Sequence, residues 1–242
     1  NLNISCPNTI LNTIVAEELT QFAAELECCS KDEMMEATIK LIRKTIKDHK
    51  RIIYSGNGYS EEWHQEALER GLLEFRTTAD AIPHYTDPKN LDLFDKHSVY
   101  TANELHARET ILLQNYYQIV SVEAKTMLYM LKKQILPAVF KYQNDLATIV
   151  QNKRAMNLNC TMEESILSNL DENLNELNHD FTLLESLTIT NHSDAKESSR
   201  FAADELLPIM EKIRTYVDAI ESDIPKEYWP IPDYNDILFQ ID

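Results

Sequence analysis

Glycine is confined to one short stretch of this chain. All three glycines among the 242 residues lie between positions 56 and 71, and two of them fall in the run GNG at 56–58. Because glycine reaches positive φ without steric cost, this placement marks where an unusual backbone turn is expected, at Gly56 or Gly58. The rest of the chain lacks the glycine-containing dipeptides that are typical of β-hairpins. The sequence therefore predicts helices joined by capped breaks.

Apolar residues recur at spacings of three and four, which is the periodicity of one helical face. The first such stripe follows a candidate N-cap, Asn8, and consists of Leu11, Ile14, Val15, Leu19, Phe22 and Leu26. A comparable stripe runs through residues 166–187, and others follow within 34–46 and 201–220. We therefore predict an all-α protein, built as a bundle of long antiparallel, partly kinked helices with an extended C-terminal tail.

Several polar residues indicate where these helices begin. Three pairs have the spacing of a capping box, in which a hydroxyl and a carboxylate each accept a bond from a free backbone N–H: Ser30 with Glu33, Thr101 with Glu104, and Thr161 with Glu164. A short helix is expected to begin after Ser60 and to close at Gly71, and Asp87 is expected to cap another that has Pro88 in its first turn.

Prolines indicate where the long helices are distorted. The helical pattern over 101–154 is interrupted at Pro137, and the last long helix is interrupted at Pro208. Proline lacks an N–H and crowds the carbonyl four residues earlier, so a kink is expected at each position. From Ile224 onward three prolines and several aromatic residues predict a tail that lies across the helices.

The charge balance excludes some partners. The chain has 40 acidic and 23 basic residues, a net charge of −17, which repels nucleic acid and anionic lipid. We expect no nucleic-acid partner and no membrane partner, and no apolar run approaches the length of a membrane span. The acid-rich part, residues 161–223, is interpreted as the solvated face of long helices.

The four cysteines do not form a CxxC pair, and the adjacent Cys28 and Cys29 do not suit disulfide geometry. A reducing compartment fits this pattern, so a cytoplasmic location is expected. The opening residues 1–8 read as a linker inside a longer protein, and the sequence is therefore expected to be a piece of one.

Two Glu-x-x-His pairs have the spacing with which helical bundles hold two metal ions. They are Glu61 with His64 and Glu176 with His179, and in each pair the two side chains lie one turn apart. Against this interpretation, Glu176 and His179 fall beside the apolar stripe and should face water. A standalone metal-binding bundle of the di-metal carboxylate type is the alternative hypothesis for this chain.

Other polar groups have a purely structural interpretation as well as a functional one. The GNG run resembles a phosphate cradle, but it lacks the lysine and the preceding strand of such loops, which favours a simple interhelical turn. Glu109 and Glu123 are candidate general bases, although charged residues on an amphipathic helix usually form a solvated face. These residues by themselves identify no reaction.

Several separate motifs resemble the C-terminal region of type III glutamine synthetases. They include GNGYSEEW at 56–63, TTADA at 77–81, VEAKTM at 122–127 and WPIPDY at 229–234, and PNTILNTIVAE at 7–17 resembles the segment that follows the last strand of the catalytic domain. The resemblance implies that the parent protein is an ATP-dependent ligase that joins ammonia to glutamate, uses Mg²⁺ or Mn²⁺, and assembles as a ring-shaped homo-oligomer.

The resemblance also limits what this chain does. In that family the metal ligands, ATP contacts and substrate arginines lie upstream of the position that matches Asn1. We therefore expect no catalytic, cofactor-binding or metal-binding residue in this chain, and no catalysis by the chain alone. Residues 1–29 are interpreted as a remnant linking helix from the end of the catalytic domain, and residues 30–242 as the C-terminal helical domain. The expected partners are that catalytic domain and other subunits, and the stripe of the first helix is expected to be an interface.

Overall fold

The structure is a computed structural model that describes residues 4–190, 192–232 and 234–239. Every regular element in these ranges is helical, and they contain no β-strand. The chain divides into two compact units, one up to Ile111 and the other from Leu112 onward. The predicted all-α fold is confirmed. The division at residues 29 and 30 concerns the origin of the first helix, which contacts within the chain do not test, and it stays a prediction.

The first unit consists of short and medium helices. It contains α1 (Ser5–Leu26), α2 (Met34–Asp48), a 3₁₀ turn (Lys50–Ile52), α3 (Glu61–Glu69), α4 (Thr78–Ala81), a second 3₁₀ turn (Ile82–Thr86), α5 (Pro88–Lys96) and the beginning of α6 (Ala102–Met130). Between residues 77 and 100 the predicted short turns are therefore present. Helix α1 contacts both α2 and α5.

The second unit is a bundle of long helices. After α6 come a π turn (Leu131–Ile135), α7 (Leu136–Ala155), α8 (Thr161–Leu187), α9 (Ala195–Phe201), a second π turn (Ala202–Leu206), α10 (Leu207–Asp223) and α11 (Tyr234–Phe239). Helix α8 packs on α7 and α10. Its buried residues Leu170, Leu177 and Leu184 repeat every seven positions, so one seam of α8 lies along the centre of the core.

Both predicted kink sites coincide with π turns. Pro137 and Pro208 each occupy the first turn of a helix that directly follows a π turn. Because proline provides no N–H for the carbonyl four residues earlier, the backbone widens by one residue at these points and bonds across five residues instead. The disturbance predicted from the sequence is therefore present, in the form of an inserted residue.

Two of the predicted caps are confirmed. Ser60 Oγ accepts a bond from Trp63 N at 3.3 Å and starts α3. Thr101 and Glu104 form a reciprocal box, because Thr101 N donates to Glu104 Oε2 at 2.8 Å and Glu104 N donates to Thr101 Oγ1 at 3.3 Å. Asp87 occupies the N-cap position of α5 with Pro88 behind it, but its carboxylate contacts His84 Nδ1 instead of a backbone N–H.

Three predicted caps do not form. Helix α1 begins at Ser5, so Asn8 lies inside it. The hydroxyl of Ser30 donates to Glu33 Oε2 at 2.7 Å, and α2 begins only at Met34, one turn later. Thr161 is already helical and donates to Asn159 Oδ1, while Glu164 binds Cys160 and Arg154. At Thr161 and Glu164, residues outside the motif take the side chains that the spacing assigns to the cap.

The prediction of positive φ at Gly56 or Gly58 is wrong, because Gly71 is the glycine in that conformation, with φ of 70°. Gly71 follows the C-terminus of α3, where Leu72 N donates to Ala67 O and Gly71 N donates to Leu68 O, each at 2.9 Å. This is the bonding pattern of a Schellman motif. The predicted helix end at Gly71 is therefore confirmed, and the left-handed residue belongs to that end.

The C-terminal tail lies across the second unit as predicted. Tyr228 Oη donates to Asp145 Oδ2 on α7 at 2.9 Å, and the Tyr228 ring lies 5.1 Å from that of Tyr142. Trp229 is buried. The last part of the tail forms the short helix α11.

Candidate functional site

The pair Glu61 and His64 does not converge on a common point. Glu61 Oε1 accepts a bond from Arg76 Nη2 at 2.9 Å, whereas His64 Nδ1 lies 2.5 Å from Glu74 Oε1. The hydrogen bond from Arg76, followed by one from Gln65, lowers the pKa of Glu61. Each member of the pair therefore has its own partner, and the arrangement ties α3 to the segment that follows it.

The pair Glu176 and His179 is exposed on α8, beside the buried Leu177, as the helical face predicts. Within the described ranges, no group of three or more His, Cys, Asp and Glu side chains is placed to hold a metal ion. A di-metal carboxylate site needs several such ligands around one point. The arrangement of these residues does not support the alternative hypothesis of a metal-binding bundle.

Glu109 and Glu123 differ sharply in burial. Glu123 is exposed, as expected for a solvated face, but Glu109 is only 4% exposed. Thr86 Oγ1 donates to Glu109 Oε2 at 2.9 Å, and His106 Nδ1 lies 3.8 Å from the same oxygen. The prediction of a solvated face is therefore wrong for Glu109, whose carboxylate joins α6 to the second 3₁₀ turn.

The burial of Glu109 has a signal in the sequence that residue-type reasoning missed. Glu109 lies four positions after Leu105 and four before Leu113, both of which are 1% exposed on α6. Residues four apart share a helical face. A carboxylate in register with two core leucines is thus placed in the interior by the helix itself.

The glycine loop packs as a turn against aromatic side chains. The rings of Tyr54 and Trp63 stack with centroids 3.8 Å apart, and the Arg70 guanidinium lies 5.4 Å from the Trp63 ring. Asn57 Oδ1 accepts a bond from Tyr59 N at 3.1 Å, which closes the loop. A Cβ at Gly56 would lie 2.4 Å from Tyr54 Oη, so Gly56 allows the tyrosine ring to approach the backbone closely.

The second unit contains an open apolar groove of about 580 Å³. It lies between α6, α10 and the tail, and its walls are mostly the side chains Val122, Thr126, Met127, Met130, Ile213, Val217, Ile231 and Ile237. Its charged residues include Glu123 and Glu221, as well as Arg214, whose Nε donates to Asp218 Oδ1 at 2.6 Å. The groove suits an apolar occupant, and it was not predicted from the sequence.

Helix α1 is attached to its unit through its polar side. Glu17 binds Lys96 Nζ at 2.6 Å and His97 Nε2 at 2.7 Å, both at the end of α5. Cys6 Sγ lies 3.1 Å from Tyr85 Oη. Thr13, which lies between Cys6 and Glu17 in the sequence, is buried. The hydrogen bond from Lys96, together with those of Gln21 and His97, lowers the pKa of Glu17 to about 2.

The apolar stripe of α1 consequently faces outward. Leu11, Ile14, Val15 and Leu19 are between 44% and 60% exposed, whereas Phe22 and Leu26, nearest the connection to α2, are half-buried. Isolated exposed apolar side chains are common on protein surfaces, but a continuous stripe is typical of an interaction surface. The interface expected on this stripe stays a prediction.

Comparison with known proteins identifies the family. The profile of the glutamine synthetase C-terminal domain matches residues 37–154, from the first turn of α2 to the last turn of α7. The chain is 31% identical over 229 residues to a glutamine synthetase of Butyrivibrio fibrisolvens, with 93% of this chain and 33% of the relative covered. Residues 37–154 belong to the glutamine synthetase C-terminal domain. The resemblance stated from the motifs is thus confirmed.

Two further relatives of the glutamine synthetase C-terminal domain extend the match. A type-3 glutamine synthetase of Dictyostelium discoideum is 28% identical over 246 residues, and a glutamine synthetase of Bacteroides fragilis (strain YCH46) is 28% identical over 250 residues. Each match covers 98% of this chain. The chain spans about a third of the length of these relatives.

These matches do not test site residues in this glutamine synthetase domain. The expectation that it has no catalytic, cofactor-binding or metal-binding residue of its own therefore stays a prediction. No helix in the described part of the chain has the length and apolar character needed to cross a bilayer.

Proposed function

We propose that this chain is the helical scaffold of a glutamine synthetase that ligates ammonia to glutamate with ATP. The similarity over 93% of the chain to a protein of that name is the observation that carries the proposal. The relatives are about three times as long as the matched region, which leaves room in them for a catalytic domain outside it. We expect the protein to act in the cytoplasm, where its four free cysteines remain reduced.

The chemistry of such a ligase requires Mg²⁺ or Mn²⁺ to hold the phosphates of ATP. The described side chains do not fit such a site, because the candidate ligands are dispersed: Glu61 binds Arg76, and Glu123 stands at the rim of a groove whose walls are mostly apolar. We therefore assign the metals and ATP to residues outside this chain, and we assign no catalytic step to its own side chains.

The proposed partners are the catalytic domain of the same protein and other subunits of a ring-shaped homo-oligomer. The outward stripe of α1, with Leu11, Val15 and Leu19, supports a contact with another folded body. A domain joined directly to α1 would act at a high effective concentration, so a small apolar surface would suffice to hold it. Residues 1–29 would then serve as the link between the two domains.

Calorimetry with MgATP and a phosphate-release assay with glutamate and ammonia test the proposal. The 242-residue chain is expected to show no saturable binding and no turnover, because its candidate ligands do not converge. The product of the complete reading frame serves as the matched control and is expected to form glutamine. Binding with turnover by the chain alone would contradict the proposed division of labour, and an inactive complete protein would contradict the proposed reaction.

A further inference from the structure

Helix α2 carries a second apolar stripe that faces away from its unit. The exposed fractions of Met35, Ile39, Ile42 and Ile46 lie between 41% and 73%. At 3.6 residues per turn these four side chains fall within about 60° of the helix circumference. Leu41, which is buried, lies on a different side of the helix. The stripe is therefore a distinct surface and not the edge of the core.

The spacing within this stripe is four, three and four, the pattern with which two helices pack along a seam. The stripe expected within 34–46 groups Ile42 and Ile46 with Leu41 on one helical face. The structure separates them, because Leu41 is buried while Ile42 and Ile46 are both more than half exposed. Four large apolar side chains in one row favour pairing with another helix over contact with water.

Two opposite charges lie along one edge of the same stripe. Glu36 and Arg43 are both exposed, seven residues apart, and therefore nearly aligned along the helix axis. Neither side chain takes part in an ion pair within the ranges that the structure describes. The edge is thus negative near the beginning of α2 and positive one heptad later.

We propose that α2 pairs in antiparallel orientation with α2 of a second copy of this chain. A twofold axis between residues 40 and 41 places Met35 opposite the partner's Ile46 and Ile39 opposite the partner's Ile42. The four layers of the seam are then filled by apolar side chains from both copies. An isologous contact of this kind uses the same surface twice, as in most homodimers.

The charged edge identifies a second copy as the occupant. In the antiparallel arrangement Glu36 and the partner's Arg43 lie on the same edge with an axial offset of two residues, about 3 Å, which their long side chains span. The symmetry repeats the pair on the other half of the interface. One surface is therefore complementary to itself in both apolar pattern and charge, which an unrelated partner would not require. The inference deepens the proposed assembly of identical subunits and rests on that part of the proposed function.

Charge reversal tests the pairing directly. Sedimentation or light scattering over a concentration series should show the 28.1 kDa chain approaching twice its mass. Glu36→Arg and Arg43→Glu should each raise the dimer dissociation constant by about fivefold or more, because two attractive pairs become repulsive. The double variant should restore dimerisation, since exchange of the two charges preserves their complementarity. Glu172→Arg on α8 provides a control with the same change in net charge as Glu36→Arg.

Several outcomes would overturn the pairing. One is a chain that is monomeric at all concentrations. Another is a pair of single variants whose dissociation constants equal that of Glu172→Arg, and a third is a double variant that dimerises no more tightly than the single variants. If Leu19→Asn abolishes association while Ile42→Asn does not, the α1 stripe is the interface and the proposal for α2 is wrong. Circular dichroism melting of each variant separates lost pairing from lost folding. Mass and glutamine formation are measured separately, so the pairing and the proposed reaction can fail independently.

Discussion

Gly71 shows how a single residue depends on its place in a helix. Its φ of 70° lies in the left-handed region, where a Cβ causes strain, and both bonds of the Schellman motif require that conformation. Gly58 does not have a positive φ, and nothing lies within 4 Å of the position of an added Cβ. Positive φ was predicted in the GNG run because two of the three glycines lie there. The Schellman motif at a helix C-terminus requires a left-handed residue, whereas the loop closed by Asn57 does not.

Gly71→Ala is expected to lower the free energy of unfolding by about 1 kcal/mol, because left-handed strain exceeds the gain from a stiffer unfolded chain. Gly58→Ala is the matched control, and it should change stability by between zero and a gain of about 1 kcal/mol. Urea unfolding of both variants measures the difference. Equal stability of the two variants would show that the conformation of Gly71 imposes no strain.

At the scale of the helices, the caps that form are those whose side chains have no competing partner. Thr101 and Glu104 bond to each other's backbone, and α6 begins there. Glu164 has the same spacing from Thr161, but it binds Arg154 and Cys160 instead. Arg154 comes from the end of α7, so a residue outside the motif decides whether the box forms.

Thr101→Ala should lower stability by about 1 kcal/mol, since it removes the acceptor for Glu104 N at the start of α6. Thr161→Ala is the control at the other motif, where the hydroxyl donates to Asn159 and caps no N–H, and its effect should be smaller. Thermal or urea unfolding compares the two variants. A larger loss at Thr161 would contradict this assignment of the caps.

At the scale of a whole unit, charged contacts set the rotation of α1 about its own axis. Its six-residue apolar stripe has the periodicity of a buried face, yet the contacts of Glu17 with Lys96 and His97 turn the opposite face inward. This arrangement leaves Leu11, Val15 and Leu19 outward and available to a partner. A helix whose polar side is anchored and whose apolar side is exposed is suited to connect two bodies.

The contact of Glu17 should make stability depend on pH in acid. Because the pKa of Glu17 is about 2 in the folded chain, below its ordinary value of 4.5, its contribution is fully present above about pH 4.5. That contribution is lost as the pH falls from 4.5 towards 2. The stability difference between the native chain and Glu17→Gln should therefore shrink over this interval, as measured by urea unfolding at a series of pH values.

Glu18→Gln is the control for this pH series, since Glu18 is the exposed neighbour on the same helix. Its stability difference from the native chain should be small and should vary little between about pH 5 and pH 2.5. If the stability difference of Glu17→Gln varies equally little with pH, the carboxylate of Glu17 does not hold α1 in place.

The amino-acid sequence by itself determined the local features of this protein. Helix periodicity, the caps at Ser60 and Thr101, the helix end at Gly71 and the disturbances at Pro137 and Pro208 all follow from interactions within one or two turns. The family could also be identified from the sequence, because its motifs are separate and specific. Such features need no knowledge of what lies across the fold.

Only the tertiary structure decided which faces of the helices are covered. Periodicity shows that apolar residues share a helical face, but it does not show which other element covers that face. Ile42 and Leu19 belong to apolar stripes and are exposed nonetheless, because contacts elsewhere set the rotation of their helices. The groove between α6, α10 and the tail likewise depends on residues about a hundred positions apart. Burial is a property of the assembled elements, and the long-range contacts that determine it are not encoded in any local pattern.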